Sequence, residues 1–167
     1  LTGVNDAQRG NCNLEHVACH TNPRGALLNI LLAIDGSKHT RRMLAYVAAH
    51  DEWLGGKHRY TVLTVVPLMH PRAAAFTAHE TIRRHYQQEQ EAVLKPVRAF
   101  FARHRLDAEF VGEAGDPAEH IVAHARTHKP DLIVLGSHGR GHLASVLMGS
   151  VATKVLATTK VPVLLVR

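Results

Sequence analysis

The run Asp131-Leu132-Ile133-Val134-Leu135-Gly136-Ser137-His138-Gly139-Arg140 decides how this chain folds, together with the Gly149-Ser150 pair downstream. Asp131 to Leu135 is a short apolar run with β-branched members, closed by glycine, and reads as a strand buried on both faces. The glycines that follow fall in the spacing G-x2-G-x9-G-[S/T]. Glycine lets main-chain N–H groups approach an oxygen with no Cβ in the way, and Ser150 adds a hydroxyl where a helix should begin. A strand emptying into such a loop predicts a backbone cradle for an anion, a phosphate above all. From Leu132 to the C-terminus there is no Asp or Glu, while Arg140, Lys154, His138 and His142 lie close to the glycines in sequence. An anion there is expected to meet attraction.

Working outward, β-rich runs alternate with helical patterns. Strands are predicted over Leu27 to Ile34, Tyr60 to Val66, Ala108 to Gly112, Asp131 to Leu135 and Val161 to Val166. Between them, Thr40 can cap a helix with Leu44, Val47 and Ala48 on one face. A long segment from Glu80 to His104 has helical spacing but contains Pro96, where a kink or break is expected. Asp116-Pro117-Ala118-Glu119 supplies an N-cap, an N1 proline and an N3 glutamate for a helix reaching about His128. Ser150 to Thr158 should form the last helix, with Val151, Val155 and Leu156 inward and its positive end toward the anion. Right-handed crossovers then make a five-stranded parallel, doubly wound α/β sheet of order 3-2-1-4-5, Rossmann-like with helices on both faces. Ligands bind such sheets where the winding reverses, here between strands one and four. That places Asp35-Gly36-Ser37 opposite the Gly136 loop.

Composition narrows the classes. The chain has 167 residues, 46% of them hydrophobic, enough for one ordinary domain. Leu1 to Gly25 is polar and aperiodic, so residues 1–25 read as a flexible extension and residues 26–167 as the folded domain. Lys plus Arg exceed Asp plus Glu by 20 to 14, but the excess is spread along the chain and only 5% of residues are aromatic. This argues against a nucleic-acid platform. No apolar stretch reaches the length of about 18 residues a membrane helix needs, and no secretory core is evident, so a cytoplasmic location is expected. Cys12, His16, Cys19 and His20 are metal-ligating types, but their spacing matches no common zinc pattern.

Three glycine-rich templates compete for the loop. A Walker A loop needs Lys-Ser or Lys-Thr after its second glycine, which His138-Gly139-Arg140 does not provide. Gly139, Gly141 and Ala144 match G-x-G-x-x-A, but a dinucleotide site wants an acid about 20 residues on and none exists. The third template is that of the universal stress protein family, which the chain resembles from about Leu27 to Arg167 through "ILLAIDGS", "TVLTVVP", "GDPAEHIV" and "DLIVLGSHGRGHLASVLMGSVATKVL...VPVLLVR". The G-x2-G-x9-G-[S/T] signature marks the ATP-binding branch of that family, and here it is unbroken.

The resemblance implies a protein that binds ATP with Mg²⁺ and acts as a nucleotide-dependent regulatory module in stress response. It assigns Gly136, Gly139, Gly149 and Ser150 to the ribose and phosphates, with the backbone of Leu135, His138, Arg140 and Val151 nearby. Ala33 and Ile34 would lie against base or ribose, Val65 against adenine, and Asp35 would help hold Mg²⁺, directly or through water. Asp35 can equally be a turn residue beside Gly36, and Val65 plain core. No catalytic residue is assigned. The alternatives are a slow ATPase or phosphoryl- or nucleotidyl-transfer enzyme, and a nucleotide-free module docking an unidentified protein partner. The family resemblance also implies a homodimer through the last strand, whose apolar edge would otherwise be exposed.

Overall fold

The computed structural model describes residues 27–139 and 148–167. The expectations for the 1–25 extension, for the Cys12, His16, Cys19 and His20 group, and for Arg140 lie outside the described residues.

Five strands, β1 (Asn29–Ile34), β2 (Arg59–Val66), β3 (Ala108–Ala114), β4 (Leu132–Gly136) and β5 (Val163–Val166), form one sheet of order β3-β2-β1-β4-β5. Every pairing is parallel, with Ile34 opposite Thr64 and Ala33 opposite both Leu63 and Leu135. Helices α1 (Lys38–Ala49) and α4 (His79–His104) cover one face, and α5 (Pro117–His128) and α6 (Ser150–Thr158) the other. Two short helices, α2 (Asp51–Leu54) and α3 (Pro71–Ala75), sit in the connections on either side of β2.

Strand side chains alternate between two cores, as a sheet buried on both faces requires. Ile30, Leu32, Ile34, Val62 and Val134 pack with Met43 and Val47 of α1 and Val93, Val97 and Phe101 of α4. Leu31, Leu63, Val65, Ile133 and Leu135 pack with Ile121 and Ala125 of α5 and Ala152 and Val155 of α6. Each fully buried aliphatic contributes about 1.5–3 kcal/mol. Crossovers on one face build outward from β1 to β3, and those on the other from β4 to β5. The reversal therefore falls between β1 and β4.

Several expectations need correction. Helix α4 runs through Pro96 without a break. Pro96 and Ala92 both lie on the exposed side, so the carbonyl that loses its partner can be hydrated. Leu156 is 39% exposed, and Ala152 takes the inward position beside Val155. Thr40 does not cap α1, because Ser37 does, its Oγ accepting from the His39 N–H at 3.1 Å. Leu27 is 62% exposed and precedes β1. Asp131 stands just before β4, where its carboxylate accepts from the Asn29 N–H at 2.8 Å and its own N–H donates to the Asn29 carbonyl. By contrast α5 has the expected start, with Asp116 Oδ1 accepting from the Ala118 and Glu119 N–H groups at 2.9 and 3.1 Å.

Candidate functional site

The site is built where β1 and β4 end. Asp35 follows β1, and the chain turns at Gly36, whose φ of 75° lies in the region glycine occupies without strain. Asp35 Oδ1 accepts from the Ser37 N–H at 2.9 Å, an Asx-type turn that delivers Ser37 to the start of α1. The same oxygen accepts from the Thr40 hydroxyl at 2.9 Å. Thr40 Oγ1 in turn accepts from the Asp35 and Gly36 N–H groups, each at 3.1 Å. Thr40 is only 4% exposed, so one buried hydroxyl of α1 organises the whole turn.

The other carboxylate oxygen lies toward the glycine loop. A Cβ added at Gly139 would stand 2.9 Å from Asp35 Oδ2, closer than side chains tolerate. The acid and the loop thus meet across the sheet's reversal point. Gly136 is crowded by the His39 side chain at 2.8 Å and the His138 carbonyl at 3.0 Å from a hypothetical Cβ. Gly149 has the His138 Cα at 3.3 Å and the Ser137 carbonyl at 3.4 Å from the same virtual atom. The Gly149 N–H donates to that carbonyl at 2.7 Å, and the Ser137 N–H donates to the Val166 carbonyl at 2.9 Å. These bonds draw the two described ends of the loop together on β5. All three glycines are therefore places where backbone closes on backbone or on a fixed side chain.

Helix α6 starts at this junction. Ser37 caps α1 and Asp116 caps α5, but Gly149 gives α6 no side-chain acceptor. Its first-turn N–H groups and the positive end of its dipole suit an anion. Ser150 is exposed and Val151 half-buried at the same turn. Lys154, expected near the anion, forms an ion pair with Asp116 at 3.2 Å. The fold thus brings one carboxylate, Asp116, to a lysine in a segment that carries no acid of its own. The backbone N–H of Glu119 is the main cause holding the Asp116 carboxyl below its ordinary range, with Lys154 and the Ala118 N–H adding to it.

Strand alternation sorts the apolar residues expected at the nucleotide. Ala33, Val65 and Leu135 lie on the α5/α6 face, with Val65 9% and Leu135 3% exposed. Ile34 points to the other core, packed with α1 and α4. Only its backbone belongs to the Asp35 side of the sheet.

Two residues at the site were not read from the sequence as part of it. Thr40 was expected only as a helix cap. The other is His39, 8% exposed, with Nδ1 buried and without a hydrogen-bond partner. Burial, reinforced by the charges of Lys38 and Arg42, pushes His39 below its ordinary value, against a smaller pull from Asp35. Its ring lies 5.5 Å from that of His138, which contacts Ser137 Oγ through Nδ1 at 3.1 Å. The one sequence signal for His39 was its place two residues after the Asp-Gly-Ser turn. No helix among the described residues is long and apolar enough to cross a membrane.

Comparison with known proteins matches this architecture. The profile of the universal stress protein family fits residues 27–167. A universal stress protein of Thermus aquaticus, encoded beside a sulfhydrylase gene, is 36% identical over 138 residues, covering 83% of this chain and 97% of that protein. The solved universal stress protein of Lactobacillus plantarum shares the fold with a TM-score of 0.66 at 24% identity, over 87% of this chain and all of that one. The universal stress protein of Archaeoglobus fulgidus, solved in complex with dAMP, superposes with a TM-score of 0.58 at 21% identity, over 84% of this chain and 98% of that one. With sequence profile, relative and strand order in agreement, the chain belongs to the universal stress protein family.

Proposed function

We propose that this chain is a member of the family's ATP-binding branch, holding ATP with Mg²⁺ at the β1/β4 reversal and serving as a cytoplasmic, nucleotide-dependent regulatory module in stress response. The observation that carries this reading is the meeting of Gly139 with Asp35 Oδ2, beside an α6 N-terminus whose own cap residue, Gly149, brings no side-chain acceptor. The cradle would be filled by any Cβ, and the glycine-capped turn offers the donors a phosphate needs. A family neighbour in complex with dAMP supports the same ligand class.

In this reading Gly136, Gly139, Gly149, Ser150 and the backbone of His138, Arg140 and Val151 hold ribose and phosphates. Ala33, Val65 and Leu135 lie toward the base, and Ile34 contributes through its main chain. Asp35 fits a magnesium role because a hard cation takes carboxylate oxygen. The ion would supply charge neutralisation for the phosphates. The chain's own groups bind and orient, and occupancy stabilises the bound state over any other by mass action. Residues 26–167 form the binding domain, residues 1–25 an extension, and the β5 edge pairs two copies.

Calorimetry with ATP and Mg²⁺ tests this. The parent chain should bind, whereas Gly139→Val and Gly149→Val should each lose at least about tenfold in affinity, or 1.4 kcal/mol. Parent-like binding by both variants overturns the cradle. Steady phosphate release abolished by Asp35→Ala would instead establish the enzyme reading.

A further inference from the structure

Along the carboxyl end of the sheet, the strand order sets candidate groups in a line. Gly136 ends β4, Asp35 follows β1, Val65 stands near the end of β2, and Glu113 near the end of β3. Glu113 pairs in register with Val65, and Val111 with Leu63. Neighbouring strands lie about 4.8 Å apart and side chains alternate between faces, so Glu113 stands beside Val65 on the α5/α6 side. Leu63, Val65 and Val111 make that face apolar, and Glu113 is the charged residue at its carboxyl edge.

The carboxylate is held in place. His120, four residues after the Asp116 cap of α5, is hydrogen-bonded through Nδ1 to Glu113 Oε2. An ionised carboxylate only accepts, so the ring donates from Nδ1. The same ring is wedged against Gly115, where any Cβ would collide with Nε2. Gly115 is buried, and its N–H donates to the Val66 carbonyl at 2.9 Å, which fastens this corner to β2. The two side chains nevertheless keep 34% and 36% of their surface exposed. Among the described residues Oε2 is the oxygen engaged, which leaves Oε1 to a ligand. A fixed, partly exposed acceptor selects a hydrogen-bond donor.

We propose that Glu113, oriented by His120, is the base-selecting residue of the nucleotide site, its carboxylate accepting from the exocyclic amine of a 6-aminopurine. This rests on the reading that sets a nucleotide base toward Val65. With phosphates at the glycines and the start of α6, a nucleotide laid along the strand order brings the outer edge of its base toward β3. A 6-aminopurine carries an N–H donor there, whereas a 6-oxopurine carries an oxygen that meets the carboxylate acceptor to acceptor. His120 acts through Glu113 and is a positioning residue.

The test is calorimetry of the full chain, in Mg²⁺, with ATP and with purine riboside triphosphate, which differs from ATP only in lacking the amine. The parent should prefer ATP by at least about tenfold, the effect of one bond to a charged group. Glu113→Ala should bind the two alike, losing affinity for ATP and keeping that for the analogue. Glu113→Gln retains a carbonyl oxygen and should recover part of the preference. His120→Ala should weaken the preference without abolishing it. A pair that merely fastened α5 to β3 would lower the unfolding midpoint in these variants and leave the ratio of affinities where it was. Equal binding of the two nucleotides by the parent, or a preference undiminished in Glu113→Ala, overturns the assignment while the cradle stands. A parent that binds neither nucleotide overturns both.

Discussion

The two ends of the sheet are made in different ways. At the carboxyl end, three glycines close on neighbouring atoms, and the carboxylate that meets Gly139, Asp35, is locked by Ser37 and Thr40. At the amino end, long side chains, among them His124, His128, Glu109 and Arg59, line a cavity. The first end is shaped by main chain and tolerates no added atoms. The second is shaped by side chains that can change rotamer. A parallel sheet produces this contrast on its own account: helix N-termini gather where the strands end, and helix C-termini, here with the α5 histidines, where they begin.

The sharpest way to break the contrast is Thr40→Val, which keeps volume but removes the hydroxyl. The Asp35 and Gly36 N–H groups and Asp35 Oδ1 would all lose a partner. Three bonds of a part-buried turn are lost at once, so stability should fall by about 2 kcal/mol. Urea unfolding would read this as a lower midpoint with unchanged slope. His128→Gln at the other end should stay within about 0.5 kcal/mol. Equal losses would erase the distinction between the two ends.

A smaller effect separates the ends by pH. In the unfolded chain His39 titrates near 6.5, and burial pushes it lower in the folded chain. Between those two values the unfolded state holds a proton that the native state refuses, so stability is full above pH 6.5 and declines as the pH falls through it, levelling off below the native value. His124 is shifted in the same direction, chiefly by burial, but is only half-buried. Unfolding midpoints between about pH 8 and pH 5 should therefore lose slope in His39→Leu, and less of it in His124→Gln. The reverse order would place the stronger desolvation at the amino end.

How much of this was legible in the sequence follows the range of the interactions. Apolar runs ended by glycine or polar residues marked β1, β2 and β4, because burial on both faces imposes them, whereas the edge strand β3 has no buried residue and was marked by its β-rich composition. The Asp116-Pro117-Ala118-Glu119 start of α5 was legible because a cap is local. The G-x2-G-x9-G-Ser spacing pointed to Gly139, which the fold sets against Asp35. What escaped depends on contacts between distant residues or on burial. Thr40 looked like a cap, yet its hydroxyl turns back to a bend four and five residues earlier. Pro96 looked like a break, but its exposed side of α4 allows the helix to continue. The Lys154–Asp116 pair spans 38 residues and exists only because α6 packs beside the start of α5. The α5 histidines looked scattered until the cavity gave His124 and His128 a common side.

That lysine–aspartate pair supplies the gentlest probe of the comparison, because Asp116 does two jobs at the carboxyl end. Its Oδ1 caps α5, and its Oδ2 meets Lys154 at 3.2 Å with side chains 60% and 39% exposed. Capping is a backbone function and should dominate, whereas an exposed ion pair is screened by water and salt. Asp116→Ala removes both and should cost about 1 kcal/mol, the ordinary loss of an N-cap. Asp116→Asn keeps an oxygen for the Ala118 and Glu119 N–H groups and discards the charge, so it should cost no more than about 0.5 kcal/mol. A salt series on the parent should show little change in unfolding midpoint. If Asp116→Asn instead falls as far as Asp116→Ala, and the parent weakens markedly with salt, then side-chain charge rather than backbone closure holds this end of the sheet together.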